Sequence, residues 1–176
     1  MTENELLERF YEYYDARDYP AAEKLIRRII KNGDTSAWAY SKLSSTLYEQ
    51  RKYGWALKYA QKAYSLDSKN TIILWDLAGA LAAKQFLSEA IDIWMKIISY
   101  GPEEAGQINT QMGLSWGRLI INDSKYRISK AYYQLYQDKE AEKYLKEYLE
   151  NRKYSRNSLY GRKDALKLLK KIEKGG

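Results

Sequence analysis

The chain has 176 residues, a formal net charge of +7, and neither cysteine nor histidine. That composition removes thiol nucleophiles, disulfides, Cys/His zinc sites and imidazole acid–base catalysis together. With 45% hydrophobic residues, two prolines, and Leu, Ala, Lys and Glu recurring at three- and four-residue spacing, it reads as all-α, in one domain or one short repeat array.

The opening "MTENELLERF" is acidic and lacks the zones of a signal peptide, so a cytoplasmic location is expected. A first helix pair is expected over about 3–36 and a second over about 37–70, the latter built from "AWAYSKLSSTLYEQ" and "YGWALKYAQKAYSL". Ala22, Ala56 and Ala90 fall at equal intervals; Ile26, Ala60 and Trp94 keep that interval, and so do Ile29, Ala63 and Ile97. Two helices approach closely only where the crossing point carries a small side chain, with larger apolar residues one turn on. Ala56 is therefore the expected crossing point of the second pair, and Ala63 its contact with the following repeat. The third pair, about 71–104, opens on "TIILWDLAGALAA", an apolar run interrupted by Asp76 and too short to span a bilayer, hence a buried helix.

The segment "AGQINTQMGLSWGRLII", 105–121, separates the third pair from the fourth. Read as helix, it lengthens the next helix by about 25 Å. The rival reading is an ordered loop, because Gly106, Gly113 and Gly117 each weaken a helix by about 1 kcal/mol. As a close-packing face, Gly113 and Gly117 carry little weight, for no long apolar segment surrounds them. The fourth pair, about 122–155, repeats the apolar set as Ala141, Leu145 and Tyr148, with Asp138 where Tyr19, Tyr53 and Leu87 stood. The tail puts Ala165, Leu166, Leu169 and Ile172 on one face, as a capping helix over about 158–174 requires; a membrane-surface helix is the alternative.

The period, the helix pairs and the alternation of small and large residues resemble the tetratricopeptide repeat family. Tyr40, Leu43, Ser44, Leu47, Ala56, Ala60 and Ala63 occupy its signature places in the second pair. In the third these are Leu74, Leu77, Ala78, Leu81, Ala90, Trp94, Ile97 and Pro102. The first pair departs from the pattern with Phe10 where a small residue is usual. The resemblance implies a right-handed superhelical array of about three to four helix-turn-helix units with a C-terminal capping helix, in a single domain over 1–176. It implies a non-enzymatic adaptor or scaffold that holds a protein or peptide partner in a concave groove lined by the first helices. Carried over by position, the groove residues are Glu8, Tyr11 and Tyr14, then Trp38, Ser41, Lys42, Ser45 and Tyr48. Ile72, Trp75, Asp76 and Gly79 follow, then Asp123, Tyr126, Arg127, Lys130 and Tyr133. A long helix would add Trp116 and Leu119 to the last group, with Arg118 and Asn122 beside it. The basic clamp that some members use for a peptide's C-terminal carboxylate falls on Leu7, Tyr11, Lys42, Ile72 and Asp76, of which only Lys42 is basic, so that mode is not expected.

Exposed aromatics cluster where partners are anchored, although a chain with 18 tyrosines and five tryptophans places some on every face. The alternative function is electrostatic. From Lys139 to Lys174 there are twelve bases against six acids, and Arg152, Lys153, Arg156, Arg162 and Lys163 lie in a stretch whose tyrosines are suited to stacking RNA or gripping another polyanion. No catalytic residue, metal site or cofactor is expected: Glu103 and Glu104 suit a helix start, and Asp76 is a lone carboxylate without an acid–base partner.

Overall fold

The computed structural model describes residues 3–107, 112–154 and 157–175, and among them every regular element is helical. The chain divides into two compact units, Met1–Lys84 and Gln85–Gly176. The first holds α1 (Glu3–Asp15), α2 (Tyr19–Lys31), α3 (Ala37–Glu49), α4 (Tyr53–Leu66) and α5 (Thr71–Ala83). The second holds α6 (Leu87–Ser99), α7 (Gly101–Gln107), α8 (Gly113–Gln134), α9 (Asp138–Asn151), one 3-10 turn at Arg152–Tyr154, and α10 (Arg162–Gly175).

Local chemistry sets the helix starts. The Asp18 carboxylate accepts the Ala21 N–H at 3.1 Å ahead of Pro20-containing α2, Ser36 Oγ accepts the Ala39 N–H at 3.1 Å, and Asn70 Oδ1 accepts the Ile72 N–H at 3.0 Å. The hairpin turns are also repeated. Arg17, Arg51, Gln85 and Tyr136 all sit in the left-handed region, with φ of 60°, 59°, 66° and 58°. At three of these turns the next N–H closes back five residues, Asp18 to Tyr13, Lys52 to Leu47 and Gln137 to Tyr132, at 2.8, 2.9 and 3.0 Å. Asp138 thus starts α9 through the same turn as its apolar counterparts. A left-handed non-glycine residue costs about 1–2 kcal/mol, and Tyr136 is 93% exposed, so its side chain returns little. Tyr136→Gly is expected to stabilise the protein by about 1 kcal/mol, raising a thermal midpoint by about 2–4 °C.

The small residues sit where their spacing puts them, at 34-residue intervals for Ala22, Ala56 and Ala90 and 51 residues after Ala90 for Ala141. Ala22, Ala56, Ala60, Ala63, Ala90 and Ala141 are fully buried. At two crossings a serine uses the space: Ser44 Oγ donates to the Ala56 carbonyl at 2.8 Å and Ser129 Oγ to the Ala141 carbonyl at 2.7 Å. Phe10, the departure in the first pair, is fully buried, its ring 5.4 Å from Tyr11, 5.7 Å from Tyr14 and 6.1 Å from Trp38 between centroids. It fills space between α1 and α3 that a smaller residue would leave open.

The inserted segment is divided between two helices. α8 reaches back from residue 121 to Gly113, while Gly101–Gln107 forms the separate helix α7, which packs against α8; residues 108–111 lie outside the described set. Two of its glycines form a packing face, a role to which the sequence pattern assigned little weight. A Cβ on Gly106 would stand 2.1 Å from the Gly113 carbonyl oxygen, and one on Gly117 would stand 1.8 Å from that of Pro102. In α10 the buried face is Ala165 and Ile172 with the partly buried Leu168 and Leu169, against Ala141, Leu145 and Tyr148. Leu166, expected on that face, is 37% exposed, because the i, i+3, i+4, i+7 stripe from Ala165 runs through 168 and 169.

Candidate functional site

In the first unit, α1, α3 and α5 bring the predicted groove residues onto one face. Phe10 and Trp38 connect α1 with α3, and Ser41 Oγ connects α3 with α5 by donating to Asp76 Oδ2 at 2.7 Å. Tyr11 is 41% exposed, while Tyr14, Trp38, Lys42, Trp75 and Asp76 are half-buried. The Lys42 ammonium lies 5.5 Å from the Tyr11 ring centre. Tyr48, at the far end of α3, is turned to its own hairpin, its ring 5.3 Å from that of Tyr53. Beside this face, Leu6, Leu7, Ile29, Asn32, Asp34, Ser36 and Trp38 line a cavity of about 710 Å3.

The electrostatics of the face centre on Asp76. Burial pushes its carboxyl up to about 6, Glu49 adds to the rise, and Ser41 and Lys42 oppose it. Burial likewise pushes the Tyr14 hydroxyl up to about 12, with Ser45 opposing and Glu49 and Asp76 contributing. Glu23, on α2, behaves oppositely: burial works against its charge, but donors from Lys52, Arg27 and Gln50 hold its carboxyl down to about 2. The signs therefore differ. Glu23 stabilises the fold above its unfolded value near 4.5, and that contribution is lost as pH falls toward 2. Asp76 has its folded value raised from 3.8 to about 6, so stability is fully present below 3.8 and is lost as pH rises through 6. Asp76→Asn is expected to stabilise the chain at pH 8 by about 1–2 kcal/mol and to flatten the pH 4–6 limb of a denaturation profile, while leaving the acid limb unchanged.

In the second unit the predicted stripe on α8 is covered by its own chain. Tyr160 stacks on Tyr126 with ring centres 4.2 Å apart, and Arg127 Nε donates to the Tyr160 hydroxyl. Asp123, fully buried, accepts from Ser158 Oγ and, at 3.0 Å, from the Leu159 N–H. The Tyr148 hydroxyl donates to the Tyr160 carbonyl at 2.5 Å. Residues 158–160 thus occupy Asp123, Tyr126 and Arg127, and Tyr126 is only 7% exposed. Tyr133 is packed against the same cluster, Trp116 is half-buried and Lys130 is exposed. Arg118 and Asn122 lie with Lys125, Pro102, Ile121 and Asn151 around a separate cavity of about 400 Å3, where Lys125 pairs with Glu147 at 2.8 Å.

Arg152 is half-buried and acts electrostatically on Asp123 and Tyr148, Lys153, Arg162 and Lys163 are exposed, and Arg156 lies outside the described residues. Tyr160 is already stacked. A basic aromatic strip that sequence spacing did not single out lies elsewhere, in the first unit. Tyr40 stacks on Tyr59 and Tyr59 on Trp55, with Arg27, Lys58 and Lys62 over the three rings at 5.0–6.0 Å. Only the helix pairing brings these residues together, and Trp55 is 54% exposed.

Among the described residues no three Asp or Glu gather as metal ligands, and no helix is long and apolar enough to cross a membrane. No protein-family model and no curated protein matches the chain. Solved structures do. YrrB, a TPR protein described as having an unusual peptide-binding site, superposes with a TM-score of 0.69 at 17% identity over 92% of this chain and 71% of its own. Pseudomonas aeruginosa PilF gives 0.65 at 16% identity over 98% and 76% of the two chains. The kinesin light chain TPR-like repeats of Podospora anserina give 0.66 at 14% identity over 98% and 93%. The chain has the tetratricopeptide-repeat fold.

Proposed function

We propose that this TPR protein is a non-enzymatic binding module, an adaptor that holds a peptide or a partner protein on the first-helix face of its first unit. The observation that carries this reading is the gathering of Tyr11, Tyr14 and Trp38 beside Lys42 and Asp76 on one half-open face. Rigid aromatics that stay partly exposed supply contact area at low entropic cost, and charge beside them sets orientation and association rate. The adjoining cavity, where Leu6, Leu7, Ile29 and Trp38 meet Asn32, Asp34 and Ser36, adds room for an anchor side chain. The likeness to YrrB supports a peptide as the bound form. In the second unit the corresponding face is filled by residues 158–160, which favours the first unit as the receptor.

The test is capture from source-cell lysate with the intact chain, the Trp38→Ala/Trp75→Ala variant and the Arg152→Ala/Lys153→Ala/Arg156→Ala variant, after circular dichroism shows that both variants are folded. Each is run at low and moderate salt, with and without nuclease. The reading requires a protein that survives nuclease and salt and is lost with the tryptophan variant alone. Material that vanishes with nuclease, or with the basic variant while the tryptophan variant keeps it, replaces this reading with the polyanion adaptor.

A further inference from the structure

The first-unit face is negatively charged on a positively charged chain. Glu8 shares the α1 stripe of Tyr11, Glu49 acts electrostatically on both Asp76 and Tyr14, and Lys42 is the single base among these groove positions, against a chain total of +7. The Asp76 carboxylate has one hydrogen bond, from Ser41 to Oδ2; among the described residues nothing donates to Oδ1, and no cation lies within ion-pairing distance. Lys42 lowers the Asp76 carboxyl through its charge and also stands over the Tyr11 ring, without forming an ion pair. The groups that face Asp76 are Tyr14 from α1 and Ser41, Lys42 and Glu49 from α3. An anionic ligand would meet two carboxylates here, and a neutral donor would add no counter-charge beyond the distant one of Lys42. A cation relieves both, and its flanks would meet aromatic rings, which attract positive charge at their faces.

We propose that this face is a receptor for a cationic side chain, so that a bound partner presents a lysine or arginine whose charged end donates to Asp76 while its stem lies along Tyr11, Tyr14 and Trp38. The inference rests on the peptide-binding reading and gives that site its ligand chemistry. It reverses the charge preference of a basic carboxylate clamp: at the positions of such a clamp this chain carries an acid, Asp76, and a single lysine that stands over the Tyr11 ring.

The test uses a phage-displayed library of random dodecapeptides panned on the full chain, with the selected peptides then made synthetically and titrated by fluorescence anisotropy. Selected peptides are expected to share a lysine or arginine. Acetylating that lysine, or replacing either residue with glutamine, should weaken binding about 10- to 100-fold, and Asp76→Asn should do the same while Ser41→Ala has a smaller effect. On the unaltered chain, affinity should fall about tenfold between pH 7.5 and pH 5, as Asp76 takes up a proton, and that dependence should disappear in Asp76→Asn. The pH series needs no variant to fold. Peptides that share no basic residue, bind Asp76→Asn as well as the intact chain and are lost with Trp38→Ala would overturn the cationic-ligand inference and leave the groove reading standing. Peptides indifferent to both variants, or no selection at all, overturn both.

Discussion

Gly117→Ala is expected to separate α7 from α8 and destabilise the second unit by about 3 kcal/mol, lowering the thermal midpoint by about 6–12 °C. The added Cβ would stand 1.8 Å from the Pro102 carbonyl oxygen and 2.9 Å from the Gly106 backbone nitrogen. Both obstacles are main chain, so no side-chain rotation relieves them; the two helices have to move apart and lose their packing. Two readings locate the effect. Amide exchange should accelerate selectively in Gly101–Gln107, and the first unit, Met1–Lys84, should keep its protection. Gly54→Ala is the control, since a Cβ there meets nothing within 4 Å and the residue lies in the first turn of α4, where alanine should be neutral or mildly stabilising.

Asp123→Ala should release residues 158–160 and cost about 2–4 kcal/mol in denaturant unfolding. The carboxylate is fully buried and accepts from both the Ser158 hydroxyl and the Leu159 N–H, so its loss leaves two donors without their acceptor in a low-dielectric site. Tyr160 is held by the same segment, and its stacking on Tyr126 should loosen with it. Proteolysis within 157–161 should accelerate while the α8–α9 pair stays protected. Asp123→Asn keeps one acceptor and should lose about half as much. Equal stability of the alanine variant and the intact chain would show that the stacked rings and the Tyr148 hydroxyl hold the segment by themselves.

The pattern of small residues was legible because close helix crossing constrains side-chain size locally. Ala56 and Ala141 had to be small, and each is buried at a crossing where a serine also reaches its carbonyl. The first-unit face was legible for the same reason, since a fixed repeat makes position along a helix nearly equivalent to direction in space. Trp38, Lys42 and Asp76 were placed by combining that rule with the groove positions that the tetratricopeptide resemblance implies. Where the repeat is interrupted the rule stops. Gly106 and Gly117 have no sequence feature that distinguishes a weak helix from a contact surface, because the difference lies in what approaches them, and Pro102 approaches from another helix.

Sequence by itself therefore determined the all-α class, the repeat interval and the crossing points, which follow from periodicity and side-chain volume, while the stripe of first-helix aromatics followed from the resemblance to the repeat family. Only the tertiary structure decided which parts of that stripe are open. Asp123, Tyr126 and Arg127 are expected on the same kind of stripe as Trp38 and Asp76, yet Ser158, Leu159 and Tyr160 cover them. The same holds for the Asp76 carboxyl, whose rise to about 6 comes from burial and from Glu49. Exposure and ionisation depend on every group that packs nearby, including groups distant in the chain, and a helical period carries no information about those.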